Sequence, residues 1–155
     1  MGEQVILTDV GPRDGLQNQS KVLTIKERFD LVLALASAGL PQIEVGSFVS
    51  PKAVPAMAGT DLLVKELSDD RGFITPIVAL IPNLRGYHMA RCAGLSHVVM
   101  VVYASDSMAR KNVGMSMAKA EKVTKAILAE ALIDGIKVTT TIAVAFECPF
   151  EGVIE

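Results

Sequence analysis

At 155 residues, half of them hydrophobic and with a mean hydropathy of +0.41, the chain carries enough apolar material for one large core. A net charge of −2, with no basic run, argues against nucleic-acid binding and membrane-surface binding, and no apolar stretch approaches the ~18 residues of a membrane span. The two cysteines, Cys92 and Cys148, form no CxxC motif and four residues precede the first apolar run, so a cytoplasmic location without a leader is expected.

Residues 5–10 are apolar and predict a strand. Gly11-Pro12-Arg13-Asp14-Gly15-Leu16-Gln17-Asn18-Gln19 follows directly. In an α/β protein the C-terminal ends of strands are where ligands gather. Asp14 offers a hard oxygen ligand for a divalent cation, and Arg13 offers a fixed positive charge for an oxygen that becomes anionic. The same dipeptide also reads as a solvated ion pair on a loop.

Thr24-Ile25-Lys26-Glu27 is a capping box that opens a helix over residues 25–38. Strand 42–46 carries Glu44. A carboxylate in a strand buried on both faces is costly unless paired, and the expected partner is Arg13. Ser47-Phe48-Val49-Ser50-Pro51-Lys52 continues at the C-terminal end of that strand, with Lys52 available to an anion. A helix over 61–67, a strand over 74–81, a helix over 84–93 and a strand over 97–103 come next. Beyond the fourth strand, Ser105 stands where a hydroxyl can hold a substrate carboxylate, or where Ser and Asp build a cap or turn. Lys111 and Asn112 follow. A helix over 116–134 and a strand over 137–144 lead to Cys148, read either as a pocket thiol or as a buried, inert one. Cys92 is expected in the core. His88, in a helix, and His97, at a strand start, make no metal-ligand spacing.

Ala38-Gly39-Leu40-Pro41-Gln42-Ile43-Glu44-Val45 resembles Ala93-Gly94-Leu95-Ser96-His97-Val98-Val99-Met100, and Asp134-Gly135-Ile136-Lys137-Val138 is a looser copy. Each is a helix-ending glycine followed by a β-rich run. Alternating strands and helices call for an α/β fold with a parallel sheet. Two forms compete: a complete doubly wound domain, and the first five strands and four helices of a TIM (β/α)8 barrel. No GxGxxG follows the first strand, and a full barrel needs ~250 residues. The chain therefore reads as a partial TIM-barrel domain over 1–155.

These motifs resemble the 3-hydroxy-3-methylglutaryl-CoA lyase family of metal-dependent TIM barrels. The resemblance is carried by Gly11 to Asn18, Ile43 to Pro55, Pro82-Asn83-Leu84-Arg85-Gly86, Ala104-Ser105, Lys111-Asn112 and Cys148 to Gly152. It implies retro-Claisen cleavage of an acyl-CoA to acetyl-CoA and a keto acid. Asp14 would ligate Mg or Mn, and Arg13 would stabilise the enolate. Gln17, Glu44 and Ser47 would lie near the substrate, Ser105 and Asn112 would line its channel, and Cys148 would stand in a loop at the pocket mouth with a catalytic part. It also implies three further strands bearing a His-x-His pair and an Asn ligand, so this chain would hold one metal ligand. Val45-Gly46, Ala53, Glu147 and Phe150 depart from the family pattern and leave room for a related 3-hydroxyacyl-CoA. A half-barrel would expose two sheet edges, so a homo-oligomer or self-association is expected.

Overall fold

The computed structural model describes residues 5–154. Met1–Gln4 and Glu155, the ends of the expected domain, lie outside the described residues. Five parallel strands form one sheet in chain order: β1 (Thr8–Asp9), β2 (Gln42–Ser47), β3 (Ile77–Leu80), β4 (His97–Tyr103) and β5 (Lys137–Ala143). A doubly wound sheet reverses its strand order at a switch point. This one does not. It curls as a half-barrel, which decides between the two expected architectures.

The helices are α1 (Ile25–Ser37), α2 (Thr60–Asp69), α3 (Leu84–Cys92), α4 (Asp106–Val113) and α5 (Met117–Asp134). An antiparallel ribbon, β6 (Glu147–Cys148) and β7 (Gly152–Val153), follows the sheet. The capping box forms as expected. Glu27 N donates to Thr24 Oγ1 at 3.2 Å and Thr24 N donates to Glu27 Oε2 at 2.8 Å. The Lys21 ammonium and the Thr24 backbone hold the Glu27 carboxyl down at about 2. The three repeat glycines have φ of 85° (Gly39), 91° (Gly94) and 69° (Gly135), the left-handed conformation that stops a helix.

The core lies between the sheet and its helices. Ile43 and Val45 of β2, Ala79 of β3 and Val98 and Met100 of β4 pack on Val32, Leu63, Leu67 and Ile127. Residues at alternate positions, Glu44 among them, face the concave side.

Three readings need correction. α4 is an additional helix, opened by Ser105 as its N-cap, which is one of the two readings of that residue. β1 and β3 are shorter than the apolar runs that signalled them, and Val5, Ile6 and Leu7 are exposed. Cys92 is exposed, not core. α3 buries Gly86, Tyr87 and Ala90, and two residues beyond Ala90 the helix has turned about 200° away.

The β5 side is open. Thr139 to Ile142 are exposed on β5, and α5 presents Leu128, Leu132 and Ile133, the last two more than four-fifths exposed.

Candidate active site

The turn after β1 is unusually wide. Val10 O accepts from Arg13 N (3.1 Å), Asp14 N (2.7 Å) and Gly15 N (3.4 Å), a π-type turn over Gly11–Gly15. Such turns recur at functional sites. This one throws Arg13 across to β2. Arg13 Nε donates to Glu44 Oε1 at 2.9 Å and Nη2 to Oε2 at 3.1 Å, a two-point pair. Nη1 donates to Asp14 Oδ1 at 2.6 Å. Gln17 Nε2 also donates to that oxygen, at 3.3 Å. The Glu44 side chain is 4 % exposed and the Asp14 side chain 53 %. The expected pairing of Glu44 with Arg13 is therefore present.

A bulge in β2 between Glu44 and Gly46 helps to aim Glu44. Arg28 of α1, fully buried, holds that bulge. Its Nη2 donates to Val45 O (3.2 Å) and Thr60 Oγ1 (3.1 Å), and Nη1 donates to Ala58 O (2.9 Å). Burial pushes the Arg28 pKa down. Gly46 lacks a side chain because a Cβ there would meet Arg28 Nη2 and Thr60 Oγ1 at 2.6 Å.

Arg13, Asp14, Gln17 and Asn112 form the polar side of a cleft of about 300 Å³ at the C-terminal ends of the strands. Leu80, Val101 and Tyr103 form its other wall, and Asn112 Nδ2 donates to Tyr103 Oη at 3.1 Å. Tyr103 is a residue that sequence reasoning missed. Its alternation with Val99 and Val101 along β4 was the available signal, since one parity of a strand lines one face.

Ser47 is 2 % exposed, and its hydroxyl has no hydrogen-bond partner among the described residues. Ser105 and Cys148 meet each other, outside the lining of this cleft. Ser105 Oγ accepts from Met108 N at 3.1 Å as the N-cap of α4 and lies 3.0 Å from Cys148 Sγ. Burial pushes the Cys148 thiol up. The Ser105 hydroxyl and the backbone N–H groups of Phe150 and Glu151 outweigh it, so the net shift is down. The ribbon is tied to α4 by Ser107 N donating to Glu151 Oε1 (2.6 Å) and by Lys111 Nζ over the Phe150 ring (4.7 Å). Lys52 is exposed on its loop. Gly86, in the Pro82–Gly86 motif, lets α3 approach the loop after β2: a Cβ there would meet Phe48 O at 2.9 Å.

His97 sits at the opposite end of the sheet, with Nε2 2.8 Å from Thr139 Oγ1. His88 pairs with Glu130 on the helical surface at 2.6 Å. As expected, neither approaches the cleft.

Asp14 fits one corner of a divalent-cation site. Its Oδ2 has no hydrogen bond among the described residues and the carboxylate is half exposed. Among the described residues no cluster of three or more His, Cys, Asp or Glu side chains could hold a metal ion.

A family model described as HMGL-like matches residues 4–155. The chain belongs to the HMGL-like family. It is similar to the (R)-citramalyl-CoA lyase of Chloroflexus aurantiacus, at 40% identity over 98% of this chain and 50% of that protein. It is also similar to the hydroxymethylglutaryl-CoA lyase of Pseudomonas mevalonii, at 36% identity over 98% and 50%. The HMG-CoA lyase structure from Bacillus subtilis superposes with a TM-score of 0.89 at 28% identity, covering 99% of this chain and 51% of that one. An HMG-CoA lyase from Acinetobacter baumannii in complex with coenzyme A and 3-methylmalate gives 0.86 at 33% identity, covering 97% and 48%. The chain spans about half the length of the curated relatives it matches. Among the described residues, no helix is long and apolar enough to cross a membrane.

Proposed function

We propose that this HMGL-like chain supplies the first half of the active site of a divalent-metal-dependent carbon–carbon lyase acting on a 3-hydroxyacyl-CoA, with 3-hydroxy-3-methylglutaryl-CoA as the substrate of first choice. The observation that carries this reading is the Arg13–Asp14–Glu44 constellation at the C-terminal ends of β1 and β2. The relative that cleaves citramalyl-CoA makes that thioester the alternative substrate.

The reaction is a retro-Claisen cleavage. A base removes the proton of the substrate's tertiary hydroxyl, the adjacent carbon–carbon bond breaks, and the electron pair moves onto the thioester carbonyl as an enolate. Protonation of that enolate gives acetyl-CoA, and the other fragment leaves as a keto acid, acetoacetate from the first-choice substrate. Arg13 holds the enolate oxygen with charge-assisted N–H bonds. Glu44 fixes the plane of the guanidinium, so its donors do not reorient as charge develops. Gln17 and Asn112 orient the acyl group, and Ser47, whose hydroxyl is enclosed, acts through position. Asp14 is the residue that would hold Mg or Mn, which when bound acts as Lewis acid and template. Ser105 and Cys148, buried together, hold the ribbon beside α4 and act through position. Acyl-CoA is the partner, in a cytoplasmic setting.

The test is metal-dependent release of acetyl-CoA from 3-hydroxy-3-methylglutaryl-CoA, with and without the rest of the barrel supplied. The 155 residues alone give no turnover. With the remaining strands present turnover appears, and Asp14→Ala abolishes it. Turnover by the isolated chain would show that the missing strands are dispensable.

A second reading rests on the open β5 side and the exposed Leu132 and Ile133 of α5. On this reading the chain is a catalytically silent half-barrel that self-associates through its sheet edges. Size-exclusion chromatography decides it: a monodisperse monomer with a cooperative melt removes this reading.

A further inference from the structure

The charges in the cleft do not balance. Among the described residues Arg13 is the one cation in its lining, and it is already bonded to two carboxylates, Asp14 and Glu44. One N–H of the Gln17 amide is also committed, to Asp14. Two carboxylates outweigh one guanidinium, so a substrate carboxylate entering here meets net negative charge and is better held by neutral donors.

Tyr103 is placed to be such a donor. It is 8 % exposed, closes the cleft beside Leu80 and Val101, and its Oη accepts from Asn112 Nδ2 at 3.1 Å. That bond uses a lone pair and leaves the phenolic proton free. Among the described residues the proton has no acceptor. Tyr103 lines the same cleft as Arg13, Asp14 and Gln17, so a ligand atom that enters there can accept this proton.

We propose that Tyr103 is a specificity-determining residue of this site, with its O–H, oriented by Asn112, donating to the distal carboxylate of a short 3-hydroxydicarboxylyl thioester. This rests on the acyl-CoA reading above and adds which end of the acyl group is recognised.

The test is calorimetric binding to the full chain of two probes, 3-hydroxy-3-methylglutaryl-CoA and acetyl-CoA, which lacks the distal carboxylate. The native chain prefers the first. Tyr103→Phe keeps the ring and its packing but removes the donor, and narrows that preference about three- to tenfold while acetyl-CoA binding stays put. Asn112→Ala narrows it in the same direction by a smaller factor. A purely structural role would shift both affinities together and leave their ratio unchanged. An unchanged ratio in Tyr103→Phe overturns the role of Tyr103 and leaves the lyase reading intact. Failure of the native chain to bind either thioester with the remaining strands supplied overturns both.

Discussion

Arg13 and Glu44 stand 31 positions apart in the chain and meet in a two-point ion pair of 2.9 and 3.1 Å that joins the turn after β1 to the middle of β2. The carboxylate is almost wholly enclosed, while the Arg13 side chain is 18 % exposed.

That enclosure makes the pair asymmetric to mutation. Arg13→Met leaves a buried carboxylate without its cation and destabilises by about 3 kcal/mol. Glu44→Gln costs about 1 kcal/mol, because Arg13 keeps Asp14. The double variant Arg13→Met/Glu44→Leu removes both charges and costs clearly less than Arg13→Met with Glu44→Leu added independently. Urea unfolding of the native chain, Arg13→Met, Glu44→Leu and the double variant measures this, and strict additivity would contradict it.

The pairing is legible in the sequence, because a lone carboxylate in a strand of Ile and Val demands a partner at the same strand end. Thr24 and Glu27 were readable for the same kind of reason: a cap is a local pattern. The contact between Ser105 and Cys148 was not. Both residues were candidates, but nothing in their types or spacing says that a helix cap and a ribbon thiol will touch. α4 was missed because Ser105 and Asp106 signal a turn as strongly as a helix start. Cys92 was misplaced because α3 is apolar on more of its circumference than it buries, and composition does not say which stripe faces the sheet.

Gly86→Ala tests the close approach of α3 to the loop after β2. The new methyl meets Phe48 O at 2.9 Å and Pro82 Cδ at 2.8 Å, and neither a backbone carbonyl nor a proline ring can swing away. We expect a loss of about 1–3 kcal/mol, read as a lower thermal midpoint. A neutral outcome would mean that the helix slides freely on the loop.

Stability should have an acid step near neutrality that belongs to His97. Burial, together with the Lys137 ammonium, lowers its pKa below the usual 6.5. The unfolded chain therefore takes up the proton first. The stability contributed by neutral His97 is complete above pH 6.5 and is lost as pH falls through 6.5 toward the folded value. Asp134 is separated from this step. Its hydrogen bonds to Tyr87 and Arg91 lower its pKa from 3.8, so its contribution is lost only below that value. Chemical denaturation between pH 5 and 8 (roughly the range over which histidine titrates) should show the step. His97→Gln should flatten it, and persistence in that variant would assign it elsewhere.

The two thiols should differ in accessibility. Cys92 is exposed, whereas Cys148 is 1 % exposed and bonded to Ser105. A thiol reagent should titrate one fast equivalent in the folded chain and a second on unfolding. Cys92→Ala should remove the fast equivalent. Ser105→Ala removes a donor that favours the thiolate, so the Cys148 pKa should rise. Fast labelling of Cys148 in the native chain would show that the ribbon opens.

In this sheet, spatial neighbours are sequence neighbours: β2 pairs with β3, β3 with β4 and β4 with β5. Among the described residues, each strand pairs with the one made just before or just after it. Each new βα unit can therefore dock on the unit that preceded it out of the ribosome, and the Arg13–Glu44 pair can close once β2 has emerged, before the later strands have been synthesised.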